Sequence, residues 1–211
     1  MKYKSVRGME DILPGDTPLW QRLECIARKN LKLYGYSEIR TPILEDTAVF
    51  IRSIGETTDI VTKEMYTFTD RKKRSLTLRP EGTAPVVRSY IEHSLDKSTG
   101  ESRLYYIGPM FRSERPQKGR SRQFHQIGTE IIGTASPYAD VEVITQLTDM
   151  LKQFGLEDFT IKLNSLGCAS DKAKFAEGLK NYLKDKNNRL CDDCKTRVKK
   201  NVLRVLDCKN E

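Results

Sequence analysis

The sequence contains no apolar run approaching the ~20 residues that a membrane-crossing helix needs. Its opening, MKYKSVRGMEDILPGD, lacks the apolar core of a secretory signal. Neither a membrane-embedded nor an exported protein is expected, and the expected location is the cytoplasm. Histidine is scarce: His93 and His125 are the only 2. A three-histidine metal centre is therefore excluded, and any Ser/His/Asp triad has to recruit one of that pair. The 5 cysteines, an odd number without an export signal, argue against a disulfide framework and leave reduced thiols or a metal. Internal repeats and low-complexity segments are missing as well.

What is present suits one substantial core, or a core with a small appendage, in 211 residues that are 37% hydrophobic and 31% charged. The formal charge of +8 is concentrated at Arg71–Arg74, Arg115–Arg122 and Lys195–Lys200. Such clusters suit a polyanionic partner, although in many basic proteins they are only solvated surface.

Hydrophobic spacing predicts a long amphipathic helix that starts at Asp16 or Thr17 with Pro18 in its first turn, carries Leu19, Leu23, Ile26, Ala27, Leu31 and Tyr34, and stops at Gly35. Cys25 falls inside it and reads as a small packing residue. Tyr36–Thr41 is extended and ends at Pro42, which disfavours a helical Thr41. Glu64–Phe68 and Ser75–Arg79 flank a charged turn and form a hairpin. After Pro80, a helix over Ala84–Leu95 has Thr83 available as its cap. A further helix begins at Ser136 and Pro137, with Val141, Ile144, Leu147, Leu151 and Phe154 on its core face. Phe159, Ile161 and Leu163 alternate as in a strand, and Ser170 opens a helix bearing Phe175, Leu179 and Leu183.

The chain is organised around Arg103–Gly133, where two apolar segments, Leu104–Phe111 and Phe124–Ile132, flank a loop that is rich in arginine and free of hydrophobic residues. This predicts a long antiparallel hairpin. Strand alternation puts Phe124, Gln126, Gly128 and Glu130 on one face and His125 on the other, with Gly128 leaving an open patch. Gly108, Met110 and Arg112 share a face of the other strand, and the two faces are expected to coincide. Glu130 sits in a run suited to a sheet interior, so its charge calls for a partner: Arg112 or a cationic ligand.

FRSE at Phe111–Glu114, the basic loop and RQFHQIGTEIIG at Arg122–Gly133 resemble the second signature motif of class II aminoacyl-tRNA synthetases, in the form found in the histidyl-tRNA synthetase family. RGMEDILP at Arg7–Pro14, YSEIRTPILED at Tyr36–Asp46, LTLRPEGTAPVVR at Leu76–Arg88 and LNSLG at Leu163–Gly167 extend the resemblance over essentially the whole chain. It implies an α/β fold of the α+β type, an antiparallel sheet flanked by helices, incomplete at its C-terminus. Residues 1–211 would be the N-terminal portion of that catalytic domain, with about 190–211 starting an insertion or a truncated tail. Family members continue for about as many residues again, through a third motif and an anticodon-binding domain, so the chain is expected to be a fragment.

The function implied is ATP-dependent activation of histidine to histidyl-adenylate and transfer to tRNA(His), by a homodimer whose interface contains the first helix and strand. The residue roles implied are Arg112 as the catalytic cation, with Arg112, Glu114, Arg120 and Phe124 binding ATP and Mg²⁺ bridging its phosphates. Glu81, Thr83, Gln126 and Glu130 would receive histidine. Read without the resemblance, RPEGT is only a turn before a helix.

Two other functions remain open: a synthetase-like, histidine-sensing regulatory subunit of ATP phosphoribosyltransferase, and a non-catalytic nucleic-acid-binding module. The synthetase form of Glu81, Gly82, His125 and Gln126 opposes the first. Near the tail, Cys191 and Cys194 have the spacing of tetrahedral zinc ligands, with Cys208 and Cys168 as candidates for the third and fourth positions of a structural Zn²⁺ site. Free thiols are the alternative.

Overall fold

A computed structural model describes residues 3–55, 58, 60–165 and 167–208, which divide into two compact units between Asp158 and Phe159. In the first unit, α1 (Thr17–Leu33) carries Pro18 in its first turn and buries Ala27, Asn30 and Leu31. Cys25 is exposed on this helix and does not pack as expected. Gly35, with φ of +77°, turns the chain into β1 (Ser37–Glu38), which runs parallel to β5 (Ser102–Phe111). The strand expected over Tyr36–Thr41 is thus only 2 residues long. Beyond it the Thr41 carbonyl and hydroxyl are engaged by the Arg79 guanidinium instead of a neighbouring strand, and Pro42 has no N–H to donate.

β2 (Leu44–Asp46), β3 (Tyr66–Thr69) and β4 (Ser75–Leu78) form an antiparallel sheet in the order β2-β4-β3, which realises the expected charged-turn hairpin. α2 (Thr47–Ile54) follows β2, its first turn capped by the Asp46 carboxylate, which accepts from the Ala48 N–H. Further on come α3 (Thr83–Glu92) and the single turn α4 (Asp96–Thr99).

β5 and β6 (Gln123–Ile132) make the long hairpin, with Leu104 opposite Glu130, Tyr106 opposite Gly128, Gly108 opposite Gln126 and Met110 opposite Phe124. Each such pair lies on one face, so the two faces expected to coincide do so. The other face packs Tyr105, Ile107, Ile127 and Ile131 against Leu31 and Tyr36. On the site face, Tyr106, Met110 and Phe124 pack against Val86 of α3. The architecture is the mixed α/β, largely antiparallel one expected, with the parallel β1 and a second small sheet added.

α5 (Pro137–Gln153) begins at Ser136, whose hydroxyl caps the Tyr138 N–H. Its buried residues are Gln146 and Met150, whereas Val141 and Leu147, predicted for the core, are exposed. The helix is rotated by its polar ties to α1 and β5: Gln146 Nε2 donates to buried Asn30 Oδ1 at 2.8 Å, Tyr34 bonds Asp149, and Arg103 pairs with Glu142.

The second unit contains α6 (Ala169–Leu183), α7 (Asp192–Lys200) and a 3-10 helix over Val202–Asp207. The alternating segment Phe159–Leu163 forms no strand. Alternation sets only the faces of a strand; the ladder also needs a neighbour, and among the described residues none pairs with it. Leu166 of the LNSLG segment and the CKNE residues beyond Cys208 lie outside the described residues.

The Tyr106 ring packs closely over both Gly82 and Gly128. A Cβ at Gly128 would come within 2.1 Å of the ring and one at Gly82 within 2.2 Å. The open patch expected at Gly128 is therefore filled from within. Gly128→Ala should cost about 1–3 kcal/mol, as overpacking does, seen as a lower urea midpoint at unchanged m-value. An unshifted midpoint would mean that the ring is free to move.

Candidate active site

Arg79 leaves β4 as a buried cation: its Nε donates to the Pro109 carbonyl at 3.0 Å and its Nη1 to the Thr41 carbonyl at 2.9 Å. Burial pulls its pKa below the usual guanidinium value. Nη2 lies 2.6 Å from where a Gly108 Cβ would stand, so this glycine makes room for the arginine. Neither Arg79 nor Tyr106 is among the residues expected at the site; Gly108, which Arg79 approaches, and Gly128, opposite Tyr106, are the signals in the sequence that mark them.

After Pro80, the Glu81 carboxylate accepts from the N–H groups of Thr83 (2.6 Å) and Ala84 (2.8 Å). Glu81 rather than Thr83 caps α3, because Gly82 at the N-cap position offers no side chain. The Thr83 hydroxyl is thereby free to donate to Glu130 Oε1 at 2.7 Å, across 47 residues of sequence. Glu81, Thr83 and Glu130 thus meet above the Tyr106 ring, as three of the four residues expected to receive the amino acid.

Glu130 has no cation within ion-pair distance among the described residues. Burial pushes its pKa up, the Thr83 hydrogen bond opposes this, and the Glu81 charge adds to the rise. The Tyr106 phenol is pushed up to about 12, chiefly by burial and then by the Glu130 charge. Gln126, the fourth expected residue, shares this face, and its Oε1 is buried without a hydrogen-bond partner among the described residues. A buried acceptor left unmade is costly and marks a place where a donor belongs.

Arg112, one of the two partners expected for Glu130, does not pair with it. Its Nε donates to the Pro80 carbonyl at 2.8 Å, its Nη1 lies 3.9 Å from Glu114, and its guanidinium stacks 5.2 Å from the centre of the Phe124 ring. Phe124 lies on the Gln126–Glu130 face, so Arg112 covers the same floor at its far end. Glu114 also receives Arg120 Nη1 at 3.0 Å, which joins all four residues expected to bind ATP. The Gly8 carbonyl accepts from the N–H groups of Arg122 (2.7 Å) and Gln123 (3.2 Å), anchoring the base of the loop. His125 faces away, its ring edge-on to Trp20 of α1 at 4.7 Å, with a pKa lowered by burial.

In the second unit the sulfurs of Cys191, Cys194 and Cys208 lie within 4.8 Å of one another. Cys168 does not join them. It is exposed at the N-cap of α6, and its thiol meets the Ser170 hydroxyl at 2.8 Å and the Asp171 carboxylate at 3.0 Å.

A family model described as histidyl-tRNA synthetase matches residues 8–191. Histidine–tRNA ligase of Thermosipho africanus is 56% identical over 207 residues, 98% of this chain and 50% of the relative. The ligase of Halothermothrix orenii is 54% identical over 211 residues, 100% of this chain and 50% of that relative. The chain thus spans about half the length of these relatives. Among solved structures, apo histidyl-tRNA synthetase of S. aureus matches with a TM-score of 0.76 and 38% identity, over 96% of this chain and 48% of the other. A Bacillus halodurans protein described as an ATP phosphoribosyltransferase regulatory subunit/histidyl-tRNA synthetase matches with a TM-score of 0.70 and 26% identity, over 89% of this chain and 49% of the other.

The raised pKa of Glu130 has a definite sign. The folded chain holds this proton more tightly than the unfolded one, so the group favours folding as pH falls through its folded pKa and weighs against folding as pH rises. Glu130→Gln should therefore stabilise the ligand-free chain more at pH 7 than at pH 5, measured by urea unfolding. A difference independent of pH would show that burial does not perturb this carboxyl.

Proposed function

The chain belongs to the histidyl-tRNA synthetase family, and on that premise we propose that it supplies the catalytic floor on which histidine and ATP form histidyl-adenylate, before transfer to tRNA(His). The observation that carries this reading is the pair of unanswered groups on the β5–β6 face, the buried Gln126 Oε1 and the unneutralised Glu130, in line with Arg112. Histidine brings an ammonium group and ring N–H donors that answer both.

The histidine carboxylate is ionised at neutral pH and needs no general base. Its oxygen attacks the α-phosphorus of ATP as the bond to the β-phosphate oxygen breaks, and pyrophosphate leaves with that electron pair. The ribose hydroxyl at the tRNA 3′ end then attacks the mixed-anhydride carbonyl, and AMP departs. The first step asks for alignment and for cationic charge against the developing phosphate charge. Arg112 suits this role because Pro80 and the Phe124 ring fix its guanidinium, a fork able to hold carboxylate and phosphate oxygens together. Arg120 would exchange Glu114 for the distal phosphates, Glu114 would turn to the adenine, and Phe124 would lie beneath the base.

Magnesium, bound with the nucleotide, supplies further charge neutralisation. Among the described residues the floor offers no group of three carboxylate, thiol or imidazole donors, so phosphate oxygens would provide most of its ligands. Exposed Leu33, Ile43 and Leu44, beside the first helix and strand, support a homodimer. The +8 charge and the basic loop suit tRNA. No helix among the described residues is long and apolar enough to cross a membrane, and the cytoplasm is where these substrates would be met.

Histidine-dependent ATP–pyrophosphate exchange, run on this chain and on a longer protein carrying the remaining half, tests the reading. Exchange is expected in the longer protein, and Arg112→Ala should lower it by roughly 10² to 10³, the scale of losing one preorganised donor. Near wild-type exchange in that variant would refute the role of Arg112. Glu130→Gln should raise the histidine requirement while leaving that for ATP largely intact. Histidine binding without exchange in the longer protein would favour a sensor. Salt-sensitive nucleic-acid binding with no ATP-dependent activity would favour a binding module.

A further inference from the structure

The densest group of metal-ligating side chains lies outside that site. Cys191 sits at the N-cap of α7, Cys194 in its first turns, and Cys208 just after the 3-10 helix, so the two ends of one helical hairpin converge on three sulfurs. Cys191 and Cys208 Sγ are 3.8 Å apart, and all three sulfurs are within 4.8 Å of one another. With a metal–sulfur bond of about 2.3 Å, the sulfur–sulfur edge of a tetrahedral site is about 3.8 Å. Cys194 is 1% exposed, while Cys191 and Cys208 are only half-buried.

A second, independent observation concerns the unit that contains them. Among the described residues from 159 to 208, the buried hydrophobics are Leu183, Cys194 and Val202, whereas Ile161, Leu163, Phe175, Tyr182 and Leu206 are exposed. Units below ~70 residues seldom gain enough from a hydrophobic core alone, and disulfides or structural metals commonly make up the difference. Here the buried centre of the unit is itself a thiol.

We propose that Cys191, Cys194 and Cys208 bind one zinc ion, with the fourth position open toward solvent, and that this ion staples α7 to the 3-10 helix after it. Three soft sulfur donors select zinc over magnesium or calcium. Each thiol releases its proton as its sulfur–metal bond forms, so 3 protons leave per ion and the centre carries a net single negative charge. α7 carries Asp192 and Asp193 in its first turn and Arg197, Lys199 and Lys200 in its last. Cys168 is at the end of α6 opposite Leu183 and contributes nothing. The proposal does not depend on the adenylation chemistry.

The test uses the whole chain, expressed in zinc-supplemented medium and purified under reductant without chelator. Elemental analysis should find one zinc per chain. Replacement by Co²⁺ should give thiolate-to-metal charge transfer and the visible bands of a tetrahedral ion. Cys194→Ser should weaken binding by at least about 10²-fold, the upper end of what loss of a ligand's supporting partner costs; Cys25→Ser and Cys168→Ser should leave it unchanged. Because Cys194 is buried, Cys208→Ser, at a half-buried position, separates lost ligation from lost folding: it should weaken cobalt binding by a similar factor and lower the charge-transfer intensity per bound ion, in a chain that keeps its helical circular dichroism. Substoichiometric zinc with no cobalt spectrum, cobalt affinity and charge-transfer intensity unchanged by Cys208→Ser, or a Cys191–Cys208 disulfide in metal-free chain isolated without reductant would each overturn the assignment.

Discussion

The register of one antiparallel ladder governs the first unit. Pairing Tyr106 with Gly128 and Gly108 with Gln126 brings every second residue of two ten-residue strands onto a common face. A slip by one residue would send Gln126 and Glu130 toward α1 and bring His125 into their place. The register is held from both sides: Leu31 and Tyr36 pack on the α1 side, and Val86 packs on the side of the site. Tyr106 and Arg79 add a steric lock, since each fills the gap over a glycine that no larger residue could occupy.

That arrangement leaves charge in unfavourable surroundings on purpose-built positions. Arg79 has carbonyl oxygens for partners, and burial lowers its pKa. Glu130 has a hydroxyl for a partner and a second carboxylate nearby, and burial raises its pKa. The two differ in what could relieve them. Arg79 is committed to backbone carbonyls and the Thr41 hydroxyl, which fix β4 against β5, whereas among the described residues Glu130 carries the Thr83 hydrogen bond and the buried Gln126 Oε1 carries none. Energy withheld from the ligand-free fold in this way is recoverable on binding.

Alternation made most of the site readable before any coordinates. It sorted Phe124, Gln126, Gly128 and Glu130 from His125, and it aligned them with Gly108 and Met110. Helix starts were readable where proline and a capping hydroxyl coincide, as at Ser136 and Pro137. What escaped was long-range and side-chain-specific. Thr83 looked like a cap because a hydroxyl before an apolar run ordinarily is one; Glu81 took that duty and sent the hydroxyl to Glu130 instead. The α5 stripe misled for a related reason, since Asn30 and Tyr34 hold the helix by Gln146 and Asp149, residues that a hydrophobic pattern discards. Phe159–Leu163 has the pattern of a strand but no partner strand among the described residues, and no local signal reports a missing neighbour. Cys168 was grouped with the other cysteines by composition, whereas its backbone position at the start of α6 committed it to Asp171.

These misreadings bear on how the floor discriminates. An apolar pocket separates ligands by a methylene or two and gains little from each. Under the proposed function the discriminating groups would be an amide oxygen with no partner and a carboxylate with only Thr83 among the described residues. A ligand of the right shape that lacks donors would bury both without answering either, and so would bind at a penalty rather than merely more weakly. The Tyr106 ring on the same face packs closely over Gly82 and Gly128, filling the space between them. Under the proposed function, selectivity for a donor-rich cation would therefore follow from the same glycine-for-tyrosine packing that fixes the register, and a change that loosened Tyr106 would erode discrimination before it erased the fold.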